Sequence, residues 1–235
     1  MIKDSELIVN KDGSIFHLHL TPEQLADNII LVGDPGRVEL FAQMMDKLEV
    51  KVQNREFVTV TGQINDRRLT VLSTGIGTDN IDIVVNELDA LANIDLRTRE
   101  IKNEHRTLNF IRIGTSGSLQ AEIPVNSYVV SQKAIGFDGL LNYYAGRDSI
   151  SDLEFEVAFK KHLNWLPKLT DPYVVNSSET LYKKIFTNEM INGITISAPG
   201  FYGPQGRVLR LGLSMPEMNE KIESFQYKGQ KITNF

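Results

Sequence analysis

The chain has 235 residues, of which 41% are hydrophobic, enough to bury a sizeable core as one domain. Its formal net charge of -5 excludes a global basic field for nucleic acid, so an anion must be bound locally if it is bound at all. The absence of cysteine excludes a disulfide framework, a thiolate nucleophile and a cysteine metal site.

Residues 1–6 carry no apolar signal core and no apolar run is long enough to span a bilayer, which points to a cytoplasmic protein without a membrane partner. Of the four histidines only His17 and His19 are close; no carboxylate lies nearby to complete a ligand set, and no metal is expected. Residues 28–32 form an apolar strand that runs into Gly33-Asp34-Pro35-Gly36-Arg37 and then into a helical pattern with Val38, Phe41, Ala42 and Met45 on one face. Pro35 suits a first helical turn and Asp34 the cap before it. Free N–H groups and the positive dipole end at such a start suit a phosphate, with Gly33 and Arg37 as parts of the site, although the segment alone is equally a tight strand-to-helix turn. The spacing is neither that of a Walker loop nor that of a dinucleotide fingerprint.

Residues 55–61 alternate as a half-buried strand, Asn65-Asp66 turns the chain, and residues 68–73 return as the second arm of a hairpin. Thr74-Gly75-Ile76-Gly77 leads into a helix over residues 78–93 with Ile81, Val84, Val85, Leu88 and Leu91 as its core stripe. The charged stretch 95–107 reads as a solvated loop or helix extension. Strands follow at 108–113, 127–131, 173–175 and 194–197. Ser151-x-x-Glu154 reads as a capping box opening a helix that carries Leu153, Val157, Phe159 and Leu163, and a further helix covers 178–188. Residues 231–235 read as a core strand. The fold class is α/β: a mixed, largely parallel central sheet with helices on both faces, in a single domain over 1–235.

Two places carry chemistry. Arg112 ends the apolar run 108–113 just before Gly114-Thr115-Ser116-Gly117. A charge in a core-strand pattern is costly unless an opposite charge meets it, and the glycines and hydroxyls behind it supply close-approaching donors. Together with Gly33 and Arg37, this describes an oxyanion pocket at the carboxyl ends of strands. The second place is the turn-rich loop 199–207, where Phe201 offers a stacking face, Gln205 an acceptor and a donor, and Arg207 a fork of donors. That set suits the edge of a uracil-like ring, although in isolation an ordinary Gly/Pro turn with an exposed aromatic is the better explanation of the loop.

The motifs Gly33-Asp34-Pro35-Gly36-Arg37, Arg55-Glu56-Phe57, Ser73-Thr74-Gly75-Ile76-Gly77, Arg112-Ile113-Gly114-Thr115 and Gln205-Gly206-Arg207, with His17 ahead of them, occur in the order found in nucleoside phosphorylases. The chain resembles that family over nearly its whole length, and the Gln-x-Arg pair resembles its pyrimidine branch. The resemblance implies reversible phosphorolysis of uridine to uracil and ribose 1-phosphate, a pentosyl transfer with inorganic phosphate as co-substrate and no cofactor. It implies a phosphate site of Gly33, Arg37, Arg112 and Thr115, completed by Arg55 from a neighbouring subunit. It implies a base site of Phe201, Gln205 and Arg207, with Arg112, Arg207 and Gln205 carrying catalysis. Thr115 would also touch the ribose, and His17 would reach the ribose 5′-hydroxyl across the interface of a homodimer with shared sites, alone or within a hexamer.

Two departures accompany the match. Relatives continue with a Glu-Met-Glu segment that grips the ribose, whereas this sequence stops at Phe235, which reads as an incomplete chain. Glu56 and Ile76 match a monovalent-cation site at the interface of some relatives, but Asn80 stands where those have a serine, which counts against the ion. The rival readings are a purine nucleoside phosphorylase or a nucleosidase, and a non-catalytic nucleoside-binding protein. A nucleosidase, which uses water, has no need of three arginines.

Overall fold

Alternation along the first strands decides where the helices go. In the computed structural model, which describes residues 1–235, the chain divides into two compact units, Met1–Gly114 and Thr115–Phe235. In the first unit, β1 (Asn28–Val32), α1 (Pro35–Met44), β2 (Lys47–Asn54), β3 (Phe57–Ile64), β4 (Arg67–Ser73), α2 (Thr78–Asn93), β5 (Ile94–Asp95), β6 (Glu100–Ile101) and β7 (Asn109–Ile113) follow in order. Neighbouring residues of a strand face opposite sides of its sheet. Ile29, Leu31, Phe57 and Leu72 accordingly pack with Val84, Leu88 and Leu91 of α2, whereas Val32, Val58, Val60 and Val71 pack with Val38 and Phe41 of α1. The sheet is therefore covered by a helix on each face.

The strand order is β2-β3-β4-β1-β7, with β1 parallel to both β4 and β7 and the β2, β3 and β4 pairings antiparallel. Val32 pairs with Ser73 on one side and with Ile113 on the other, and Leu31 pairs with Arg112. Parallel pairing thus brings Gly33, Thr74 and Gly114 out at the same carboxyl edge, where such sheets bind ligands.

Several sequence expectations move. Residues 55–56 are not strand: Arg55, at φ 52°, and Glu56 form the two-residue turn between β2 and β3, where Asn54 pairs with Phe57. The strand before that turn, β2, was hidden by its charges, because it is a sheet edge with mostly exposed or half-buried residues. Asn65 and Asp66 do form the second hairpin turn, both in the left-handed region as a type I′ turn requires. His17 and His19 are not an i, i+2 strand pair, since they lie in a turn with His19 at φ 53°. The charged stretch 95–107 contains the short β5–β6 hairpin, with Lys102 Nζ donating to the Ala92 carbonyl at 2.9 Å.

The second unit runs β8 (Val129–Gly136), α3 (Arg147–Ile150), α4 (Leu153–Leu163), β9 (Tyr173–Asn176), α5 (Glu179–Ile185), β10 (Ile191–Ser197), α6 (Met218–Ser224), β11 (Gln226–Tyr227) and β12 (Gln230–Lys231). β8 lies between β10, to which it is parallel, and β9, to which it is antiparallel. The helix expected from a Ser151 capping box is capped instead by Asp152, whose carboxylate accepts from Phe155 N; Ser151 Oγ donates to the Arg147 carbonyl. Its buried stripe is Phe155, Phe159 and Leu163, at i, i+4 and i+8, while Leu153 and Val157 are exposed. Both phenylalanines meet Phe225 with ring centroids 5.3 Å apart. Ser178 caps α5 through Leu181 N, and that helix ends at Ile185. Residues 232–234 run along β10 as the apolar pattern requires: Thr233 N donates to the Ile194 carbonyl and Ile196 N to the Asn234 carbonyl. No helix is long and apolar enough to cross a membrane.

Candidate active site

In the first unit, the carboxyl edge of the sheet carries two arginines that no carboxylate pairs. Arg112, on β7, extends beside Gly33 and Gly114: a β-carbon built on Gly33 would lie 3.9 Å from Arg112 Nη2, and one on Gly114 would lie 3.6 Å from Nη1. Neither Arg112 nor Arg37 makes a side-chain hydrogen bond or an ion pair with any residue. Partial burial, and then repulsion from Arg37, push the Arg112 pKa below the usual guanidinium value. Two guanidiniums that repel one another and have no carboxylate partner are stabilised by a bound anion. The α1 N-terminus is not open to a phosphate, because the Asp34 carboxylate accepts from Gly36 N at 2.8 Å. The Arg37 side chain, which has no side-chain partner, and the Gly33 backbone remain at that edge. Arg55, expected to serve the same ligand, sits exposed at the β2–β3 turn, again without a side-chain partner.

His17 is held by a residue that the motif reading missed. Glu87, in the middle of α2, accepts from His17 Nδ1 at 2.6 Å and from the backbone N–H groups of His17 and Leu18 at 3.0 and 2.9 Å. Nδ1 is thereby occupied and Nε2 is left for another partner. An acidic residue on a helix stripe gave no local signal, since its partner lies 70 positions away. At the position matched to a cation, the Asn80 amide nitrogen points at the Ile76 carbonyl, 3.4 Å away.

In the second unit, the loop that follows β10 folds on itself. Tyr202 O accepts from Gln205 N and Arg207 N at 3.0 and 2.9 Å, and Gly206 takes the left-handed conformation at φ 71°. Arg207 lies over the Phe201 ring with its guanidinium carbon 4.0 Å from the centroid, donates to the Phe201 carbonyl at 2.8 Å and also donates to Gln205 Oε1. Phe201 remains 60% exposed, so one ring face stays available for stacking. Phe201, Gln205 and Arg207 are thus brought together as the sequence suggests. Thr115, which opens this unit, is exposed. Asn219, on α6, donates to the Gln205 carbonyl at 3.1 Å and was not foreseen.

The sequence profile of the Phosphorylase superfamily matches residues 27–228. The chain belongs to that superfamily. It is 31% identical over 197 residues to a uridine phosphorylase of Haemophilus influenzae, covering 83% of this chain and 66% of that protein. It is 33% identical over 174 residues to a uridine phosphorylase of Escherichia coli, covering 72% of this chain and 63% of that protein. The chain therefore spans about two thirds of the length of these curated relatives. Its structure superimposes on a Trypanosoma brucei nucleoside phosphorylase, described as showing uridine phosphorylase activity, with a TM-score of 0.80 at 29% identity. That match covers 97% of this chain and 82% of the other. The mixed α/β fold with an anion-receptive sheet edge is thus that of a nucleoside phosphorylase.

Proposed function

We propose that the protein catalyses the reversible phosphorolysis of uridine, giving uracil and ribose 1-phosphate, as a pentosyltransferase. The observation that carries the reading is the bond from Arg207 to Gln205 Oε1. A guanidinium has no acceptor, so the oxygen of the amide must face it and the amide nitrogen must face away. The loop then presents a row of guanidinium N–H, amide oxygen and amide N–H, which is donor, acceptor, donor. The uracil edge is acceptor, donor, acceptor across its two carbonyls and N3–H, so the two rows match at every place. Cytosine presents an unprotonated N3 and an amino group and mismatches at two of them.

Phosphate is the natural occupant of the Arg37–Arg112 corner. A phosphate oxygen attacks C1′, the C1′–N1 bond breaks, and its electron pair passes to the uracil ring. The ring is then protonated at N1 to leave as uracil, and the phosphate leaves with the sugar. Fixing the nucleophile removes an entropic barrier of up to roughly 7–11 kcal/mol. As the bond breaks, charge grows on the carbonyl oxygens, so donors aimed at them stabilise the transition state more than the bound substrate. Gly33, Arg37, Arg112 and Thr115 would hold phosphate, Phe201, Gln205 and Arg207 the base, and Thr115 and His17 the ribose. Arg55 and His17 would act across the interface of a homodimer, in a cytoplasmic enzyme of pyrimidine salvage and nucleoside catabolism.

A substrate panel tests this assignment. With phosphate present, uridine should be cleaved at least about thirtyfold faster than cytidine, since two mismatched polar contacts each cost about 1–3 kcal/mol. Faster cleavage of inosine than of uridine would overturn the pyrimidine assignment and favour a purine enzyme.

A further inference from the structure

We infer that Asn219 is a positioning residue that sets the register of the Gln205–Arg207 row against the base, an inference resting on the pyrimidine reading above. The hydrogen bonds from Gln205, Gly206 and Arg207 N–H groups all close within the loop, onto Tyr202 and Gly203 carbonyls, and Arg207 spends its Nη1 on Phe201 and Gln205 of the same loop. Such self-contained turns hold their shape but not their place. Asn219 supplies the place: its Nδ2 reaches from α6 to the Gln205 carbonyl at 3.1 Å.

The contact is built rather than incidental. Gly206 lies against the Asn219 amide so closely that a β-carbon there would sit 2.5 Å from Nδ2, and its φ of 71° suits glycine. The Asn219 Oδ1 is buried without a hydrogen-bond partner. A side chain that leaves its oxygen unsatisfied, a costly arrangement, is held in that pose by what its nitrogen does. The backbone that Asn219 grips belongs to the residue whose side chain offers the acceptor for N3–H. A shift of the Gln205 carbonyl moves that amide, and Arg207 moves with it because the two are bonded.

The test compares the wild-type protein with Asn219→Asp, which keeps the shape and loses the donor, and Asn219→Leu, which loses both polar atoms. Two measurements are made on the full chain: hydrogen exchange at the Gly206 and Arg207 amides, and steady-state constants for uridine and phosphate. Exchange at both amides should rise roughly three- to tenfold, the worth of one neutral hydrogen bond expressed as local opening. KM for uridine should rise by a similar factor while KM for phosphate stays unchanged, a split that a general loss of stability would not produce. Wild-type exchange in both variants, or faster exchange with an unchanged KM for uridine, overturns the inference. If the wild-type protein cleaves no uridine while the variants still exchange faster, the anchor stands and the pyrimidine reading falls.

Discussion

The two arginine sites of this molecule solve opposite problems. At the sheet edge of the first unit, neither Arg112 nor Arg37 has a side-chain partner, and burial followed by repulsion from Arg37 lowers the proton affinity of Arg112. In the loop of the second unit, Arg207 is already held by the Phe201 carbonyl, the Gln205 amide and an aromatic face, through Nη1 and its ring contact, with Nε and Nη2 left to donate. An unpaired cation cluster is a demand for a ligand, whereas a paired arginine is an instrument for reading one. On the proposed function, the contrast teaches that the first site would supply affinity for phosphate and the second discrimination among bases.

The largest expected effect breaks the first half of that contrast. Arg112→Ala should lower kcat/KM for phosphate by about a thousandfold, the upper range for removing a preorganised charge-assisted contact. It should leave the preference for uridine over cytidine intact, because the row of donors that reads the base is untouched. Steady-state kinetics with each nucleoside as phosphate is varied checks both parts. Arg207→Ala should do the reverse: a loss of about a hundredfold in kcat/KM for uridine, a collapse of the uridine preference, and nearly wild-type phosphate affinity. An Arg207→Ala enzyme that kept its preference would reduce the loop to a plain turn.

Two smaller effects sharpen the comparison. Phosphate at about a hundred times its dissociation constant should stabilise the protein by about 2.7 kcal/mol. Calorimetric melting should show the rise in Tm in the wild type and in Arg207→Ala, and its loss in Arg112→Ala. Arg55, held at φ 52°, carries a backbone cost of about 1 kcal/mol that glycine does not have. Arg55→Gly should therefore melt at the wild-type temperature or slightly above it while losing phosphate affinity, separating function from stability at one residue. Smallest of all, Glu87→Gln should raise KM for uridine by roughly tenfold through a misplaced His17 ring, with KM for phosphate unchanged.

Much of this was legible in the sequence, for physical reasons. Apolar runs with period-two alternation marked β1, β3, β4 and β7, and the glycines that end β1 and β7 marked the carboxyl edge. Arg112 stood out because charge inside an apolar strand needs an explanation. What escaped was either edge or long-range. β2 faces solvent as an edge strand and so lacks the apolar signal, and the Arg55 turn was absorbed into the strand it opens. The cap of α4 went to Asp152 rather than Ser151 because both are good caps and only the backbone geometry chooses between them. Glu87 and Asn219 act on groups 70 and 14 residues away, and no local pattern of residue types records such pairings.

What receives the sugar separates a phosphorylase from a nucleosidase. Uridine cleaved by the full chain in phosphate buffer, with the products resolved by phosphorus NMR and chromatography, should give uracil and ribose 1-phosphate in equal amounts, and no uracil once phosphate is omitted. Equal uracil release without phosphate, with free ribose as the second product, would contradict the assignment of Arg37 and Arg112 to a phosphate nucleophile.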